Sequence, residues 1–437
     1  MGKFKSSYEL PNTDLNMKRL LLFLLITFLG TGFLAAQNKK ADKSKNKAAF
    51  YSSVYRNLFR EAGYSVADID QKVTKAYYDI FEGPNRVYFE VGDSMAYVSD
   101  LKNHDARTEG LSYGMMIAVQ LNKKDVFDRI WRWSKKYLQH QDGPREGYFA
   151  WSINPKTMKK NSEGTASDGE LYFITSLLFA SNRWGNNTGI DYYHEARRIL
   201  DAMWKKDGTD NIYNILNTEH KQITFTPEGN NYNFTDPSYQ LPGFFEIWAL
   251  YAKDGHEQFY RDCADTARAF LHRACDSPTG LNADRTDFNG NPLTGGRMQP
   301  AFRYDSWRVP MNIAMDYAWF GKDKKWKEDY AKRFQNFLKS KGINTFEDQF
   351  NLDGSQSEFI LPAGGIRKLR HSLGLVATAA TTEIIRKDHF DFVHSLWNAK
   401  LEPYDDGYFD PYYDGLLYLF SLMHLSGKYQ IIKPENH

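Results

Sequence analysis

Six long apolar stretches, most of them followed by a charged amphipathic one, restrict this chain to a fold built from paired helices. The apolar runs are Glu109–Gln120, Asp168–Ser181, Tyr239–Ala252, Asp305–Gly321, His371–Ile385 and Tyr412–Gly427. The stretches Lys123–Gln139, Asp191–Lys206, His256–Cys275 and Lys324–Lys339 instead place apolar residues three and four apart on a charged background. A helix apolar all round must be buried, whereas one with a single apolar stripe keeps its other face in water. Their alternation predicts an all-α architecture with an inner ring of buried helices inside an outer ring of half-wetted ones. The units differ in length and share no sequence identity, so a closed toroid of six pairs fits better than an open solenoid.

Strand signals are few. Arg86–Val91 is the best candidate and Gln222–Phe225 a weaker one. Loops rich in Gly, Asn and Pro, notably Thr226–Pro237 and Asn282–Gln299, are the expected walls of a cleft. No low-complexity linker follows residue 48, so residues 48–437 read as one domain. The net charge is +2, with Lys and Arg spread through the chain. That balance argues against a dedicated nucleic-acid or anionic-membrane surface. Aromatics reach 16%, which suits either a large helical core or a groove that stacks on a flat, weakly polar ligand.

The first 36 residues read as an upstream extension plus a secretory signal. Met17-Lys18-Arg19, the apolar run Leu20–Leu34 and the small residues Ala35-Ala36 before Gln37 follow the order of such a signal. Translation from Met1 or from Met17 fits equally. The run falls short of the roughly 20 residues of a membrane span, so no stable membrane anchor is expected. Residues 37–47, rich in Lys and Asn, read as a disordered leader, and the mature protein as periplasmic or secreted. Cys263 and Cys275 are the only two cysteines and fall in one helical pattern. Twelve residues of helix rise about 18 Å, beyond disulfide reach. No Cys or His pair has metal-ligand spacing, so neither metal nor cofactor is expected.

Polar and aromatic residues gather where the apolar runs begin. Glu109 opens the first between Arg107 and Tyr113, with Gly110 and Gly114 close by. An acid in a first turn is favoured by the helix dipole alone. The glycines, however, weaken the helix by about 1 kcal/mol each, which fits a place where another group must come near. At the second start, Ser167 and Glu170 have capping-box spacing, leaving Asp168 at the first helical position without a capping duty. The third start offers Tyr239. The fourth sets Asp305 between Tyr304 and Trp307, with Arg308 three residues on. An exposed Asp305–Arg308 pair means little, but a buried one would fix the carboxylate's direction.

Three carboxylates at one aromatic-lined end are the equipment of glycoside hydrolysis, which needs a protonated acid and an ionised partner. No nucleophile elbow, P-loop or dinucleotide fingerprint competes. At these same motifs the chain resembles glycoside hydrolase family 8, and within it the reducing-end xylose-releasing exo-oligoxylanases. The resemblance runs from about Tyr51 to Tyr429. It is carried by YRNLFREAGY at Tyr55–Tyr64, RTEGLSYGMMIAVQ at Arg107–Gln120, YFAWSIN at Tyr148–Asn154, ASDGELYFITSLLFASNRW at Ala166–Trp184 and FRYDSWRVP at Phe302–Pro310.

The resemblance implies an (α/α)6 toroid that hydrolyses β-1,4-xylo-oligosaccharides with inversion and releases xylose from the reducing end. It implies Glu109 as general acid, Asp305 as general base and Asp168 as the carboxylate that grips and distorts the −1 sugar. Tyr239 is matched to the holder of the attacking water, Trp151 to a stacking surface and Arg308 to the orienter of Asp305. Tyr412 is matched to a site tyrosine, with Tyr413 the alternative. His371 is matched to recognition of the reducing-end hydroxyl, against a core or helix-capping role. If that second role holds, an endo-acting xylanase becomes the alternative; independently of His371, a β-1,4-glucan or chitosan hydrolase of the same family is another. A binding relative without catalysis is the alternative from outside the enzymes. For Glu109 to be an acid at neutral pH, burial and the neighbouring Asp168 must outweigh the dipole.

Overall fold

The computed structural model describes residue 1 and residues 48–275, 277–294, 300–360, 366–387 and 389–434. The expected signal and leader lie outside the described residues. The chain divides into two compact units, Met1–Val54 and Tyr55–His437. In the first, the described part holds one helical turn, Ala49–Ser52. The second, which begins at Tyr55, contains the whole barrel.

Twelve helices of at least two turns build that unit among the described residues. They are α1 (Val66–Phe81), α2 (Thr108–Gln120), α3 (Lys124–Tyr137), α4 (Ser167–Trp184), α5 (Tyr192–Ala202) and α6 (Pro242–Tyr251), then α7 (Glu257–Ala274), α8 (Arg308–Phe320), α9 (Lys324–Ser340), α10 (Leu373–Thr381), α11 (Asp391–Asn398) and α12 (Tyr413–Leu425). The even-numbered helices α2 to α12 each touch the next, and α12 touches α2, which closes the inner ring. Each packs against one outer partner, α12 against α1. This is the (α/α)6 toroid expected from the alternation of apolar and amphipathic runs. Every residue of α2 except Glu109 is buried. In outer α7 the buried set Tyr260, Cys263, Ala264, Ala267, Phe270 and Leu271 repeats three and four apart, the stripe that faces the inner ring. Cys263 and Cys275, buried and free, stand along and just beyond this helix.

Several inner helices begin later than their apolar runs. The third run opens as a 3-10 turn at Pro237–Tyr239, and α6 starts at Pro242, where the missing N–H costs nothing. The fourth opens as a 3-10 turn at Tyr304–Trp307 before α8. Site residues at these starts therefore ride on tight turns at the ends of the helices.

An antiparallel sheet of five strands in sequential order caps that end: β1 (Tyr88–Val91), β2 (Met95–Asp100), β3 (Asp105–Arg107), β4 (Ser152–Asn154) and β5 (Lys159–Ser162). The expected strand over residues 86–91 is β1. Gln222–Ile223 forms β7 against β6 (Leu216–Asn217), shorter than expected. A last pair, β8 (Phe359–Ile360) and β9 (Ile366–Arg367), precedes α10. The two loops expected to wall the cleft are tied together, since Thr235 and Thr286 exchange both backbone hydrogen bonds at 2.9 and 3.0 Å.

Candidate active site

The N-termini of α2, α4, α8 and α12 converge on one guanidinium. Arg308, the first residue of α8, donates from Nη1 to Glu109 Oε2 at 3.1 Å, to Asp168 Oδ2 at 2.9 Å and to the Tyr113 hydroxyl at 3.0 Å. Its Nη2 donates to Asp305 Oδ1 at 2.8 Å. The three-residue spacing pairs Arg308 with Asp305 alone, yet the cation serves all three carboxylates. Its side chain is only 3% exposed. A buried cation with several anions is tolerated because each hydrogen bond replaces lost hydration.

Glycines let these helix ends meet. A Cβ on Gly169 would lie 2.5 Å from Thr108 Cβ, so its absence brings Asp168 beside Glu109. A Cβ on Gly110 would lie 2.3 Å from the Tyr412 ring. In that space Tyr412 donates its hydroxyl to Glu109 Oε1 at 3.1 Å. Tyr413 instead donates to the Tyr304 carbonyl at 2.9 Å, and buried beside Arg308 and Asp305 it faces the same cluster. Tyr304 has φ +38°, a backbone region that is strained for a residue with a side chain. The Tyr413 bond holds that peptide immediately before Asp305.

The capping box expected at α4 does not form. Helix α4 starts at Ser167, whose hydroxyl donates to the Phe225 carbonyl at 3.2 Å, and Ala166 is the N-cap. Glu170 accepts from Phe149 N at 3.0 Å instead. Asp168 is therefore the second helical residue rather than the first. It accepts from Gly169 N at 3.0 Å.

Exposure separates the three acids. The Asp305 side chain is 39% exposed, against 17% for Glu109 and 8% for Asp168. Burial pushes Glu109 up to about 7; Arg308 opposes that rise, while Asp168 and Asp305 add to it. Burial likewise raises Asp168 against the pull of Arg308. Arg308 is the main charge opposing the rise of Glu109. Because one guanidinium fork bridges Glu109 Oε2 and Asp305 Oδ1, those oxygens lie within roughly 8 Å of each other. That upper bound covers the lower part of the roughly 6.5–9.5 Å range of inverting pairs as well as the roughly 5–5.5 Å of retaining ones.

The sheet supplies the aromatic wall. Thr108 N donates to the Trp151 carbonyl at 3.0 Å, setting half-buried Trp151 beside the start of α2. The Arg107 guanidinium lies 5.6 Å from the Trp151 ring and is held by Asp105. Tyr239 lies 5.6 Å from the Arg308 guanidinium and stacks on Phe225 at 6.0 Å. His371 lies just before α10. Its Nδ1 donates to the Phe346 carbonyl at 2.8 Å, which leaves Nε2 as an acceptor, and burial lowers its pKa. It caps no helix, since Ser372 is the N-cap of α10.

In the sequence Tyr113 is only an aromatic neighbour of Glu109. Its place four residues after Glu109, on the same helical face, was the signal that it shares the Arg308 contact. Asp236, wholly buried beside Tyr239, gave no such signal. Burial and then Asp305 drive its carboxyl well above the usual range. Among the described residues no group of His, Cys, Asp or Glu is arranged to hold a metal ion. Nor is any helix there long and apolar enough to cross a membrane.

A helical toroid presenting one acid raised to about 7 and a more open carboxylate on a shared arginine, beside aromatic side chains, has the equipment of a glycoside hydrolase. The profile of Glycosyl hydrolases family 8 matches residues 97–357, and the chain belongs to that family. It is 37% identical over 400 residues to the reducing end xylose-releasing exo-oligoxylanase of Halalkalibacterium halodurans, covering 90% of this chain and 98% of that one. It is 35% identical over 393 residues to the reducing-end xylose-releasing exo-oligoxylanase Rex8A of Paenibacillus barcinonensis, covering 88% and 98%. A solved mutant of Rex8A, complexed with an arabinofuranosyl-xylotetraose, superposes with a TM-score of 0.80 at 34% identity, covering 90% of this chain and 100% of that one.

Proposed function

We propose that this chain hydrolyses β-1,4-xylo-oligosaccharides with inversion and releases xylose from the reducing end. The observation that carries the reading is the Arg308 contact to Glu109, Asp168 and Asp305, with Glu109 near neutrality and Asp305 the most open. The names of the relatives supply the substrate class.

In this reading Glu109 gives its proton to the glycosidic oxygen while Asp305 takes one from a water on the opposite face of the sugar. The water oxygen bonds to C1 as the C1–O bond breaks, and the electrons of that bond leave with the protonated oxygen. Turnover ends with Glu109 ionised and Asp305 protonated, and solvent restores both. Asp168 grips the −1 sugar, Arg308 aims Asp305, Tyr239 holds the water, Tyr412 steadies Glu109 and Trp151 stacks on a sugar face. His371 accepts at Nε2 from the anomeric hydroxyl of the +1 xylose.

Digestion of xylotriose labelled at its reducing end tests this. Labelled xylose should appear first, together with unlabelled xylobiose. Unlabelled xylose appearing first would remove the reducing-end claim. Absence of cleavage would remove the enzyme claim. Glu109→Ala and Asp305→Ala should each nearly abolish turnover with an unchanged melting temperature.

We also propose export, on the strength of Lys18-Arg19, Leu20–Leu34 and Ala35-Ala36-Gln37. N-terminal sequencing of protein from the periplasm or medium should find a start near Gln37. Cytoplasmic protein with its leader intact would refute it.

A further inference from the structure

We infer that Arg370 is a positioning residue for reducing-end recognition, locking the peptide of His371 onto a loop at residues 404–408. The inference rests on the role proposed above for His371. Arg370 precedes that histidine, and its Nη2 donates to Asp406 Oδ2 at 2.7 Å. Its Nε donates to the same carboxylate at 3.1 Å, and its Nη1 to the Lys368 carbonyl at 3.1 Å. The guanidinium also lies 4.2 Å from the centre of the Tyr408 ring. Lys102 Nζ stands 4.8 Å from that same ring, so two cations share one aromatic.

The loop is braced on its own account. Tyr404 N donates to the Tyr408 carbonyl and Gly407 N to the Tyr404 carbonyl, both at 2.8 Å. Tyr404 reaches past His371 as well: its hydroxyl accepts from Leu373 N at 2.8 Å and donates to Asp414 Oδ2 at 2.5 Å. The chain is therefore fastened to one loop immediately before His371 and again two residues after it. The Phe346 carbonyl fixes the rotation of the ring between those fastenings.

A partly exposed ion pair adds little to stability. A geometric role explains the arrangement better. A single acceptor discriminates for a hydroxyl only if it stays within about 0.5 Å of its place, which requires locked supporting groups. Bidentate pairing to Asp406 and stacking on Tyr408 supply such a lock, and a point charge cannot reproduce either.

The test compares kcat/KM for xylotriose with that for xylotriitol, whose reducing end is an open alditol. It uses the wild type, Arg370→Ala, Arg370→Lys, Asp406→Asn and His371→Ala. Wild type should prefer xylotriose. Arg370→Ala and Asp406→Asn should lower the preference about tenfold, or about 1.4 kcal/mol, toward the His371→Ala value, with Arg370→Lys between. A purely structural role would lower the melting temperature and both rates alike, leaving their ratio untouched. An unchanged ratio in Arg370→Ala and Asp406→Asn, with His371→Ala having lost it, overturns the inference alone. No preference in the wild type, or a full preference in His371→Ala, instead overturns the role of His371 and this inference with it. Should Arg370→Ala fail to fold, Asp406→Asn decides, because it replaces one oxygen in an exposed turn.

Discussion

Replacing Tyr412 with Phe isolates one contribution to the acidity of Glu109. The hydroxyl donates to Glu109 Oε1 at 3.1 Å, while the ring fills the space left by Gly110. Phe keeps the ring and removes only the donor. A hydrogen bond to an ionised group stabilises it by about 1.5–3 kcal/mol net, against about 1 kcal/mol between neutral partners. Protonated Glu109 retains the weaker kind, because its own O–H can point back at Tyr412. The two protonation states thus differ by about 1 kcal/mol in what the hydroxyl gives them, or about 0.7 of a pKa unit.

The sign follows from which form benefits. Tyr412 favours the carboxylate, so its loss must raise Glu109 further above its present value of about 7. Because the acid works protonated, activity falls as pH rises through that value. The alkaline limb of kcat/KM against pH, which reports the free enzyme, should therefore move up by about 0.7 unit in Tyr412→Phe. At pH 8, activity relative to the optimum should rise nearly fourfold (~3.7-fold), whatever happens to the optimum itself. A limb that stays in place or moves down, in a variant with wild-type melting temperature, would refute the argument. It would mean that Tyr412 does not serve the ionised form, or that another group sets the limb.

The barrel was legible because burial writes directly into helical sequence. Lys324–Lys339 was read from its charged background and α9 is Lys324–Ser340. Glu109–Gln120 was read from apolarity and α2 is Thr108–Gln120. The sheet was largely invisible for the same physical reason. Strand β5 is Lys-Lys-Asn-Ser and never buries a full face, so it carries none of the apolar alternation that marks a strand. The failed capping box shows the other limit. Ser167 and Glu170 have the right local spacing, but a fully buried Glu170 finds its partner in Phe149 N, 21 residues away.

Something similar holds at the site. Helix starts narrow the field of acidic residues and the family resemblance selects the three carboxylates, which the fold brings to one guanidinium. The shared cation was not legible, because the Arg308 contacts to Glu109 and Asp168 span 199 and 140 residues. Only ring closure brings them together.

Two further substitutions probe the packing that holds the site. Gly110→Ala would drive a methyl to 2.3 Å from the Tyr412 ring. It should cost about 1–3 kcal/mol by overpacking, seen as a lower midpoint in urea, and should depress kcat because the Tyr412–Glu109 contact is lost. The other lies at the far side of α8. Asp316 is wholly buried and takes both Arg268 Nε and Nη2, at 2.9 and 2.8 Å, together with the Lys327 ammonium. Burial alone would raise its pKa, yet Lys327 and Arg268 overcome that and leave it lowered. In Asp316→Asn two buried cations would face a neutral amide, which should cost about 3–5 kcal/mol. If the urea midpoint hardly moves, the two cations have found water or Glu246, already 2.9 Å from Arg268, and the pair is not what ties α8 to its outer helices.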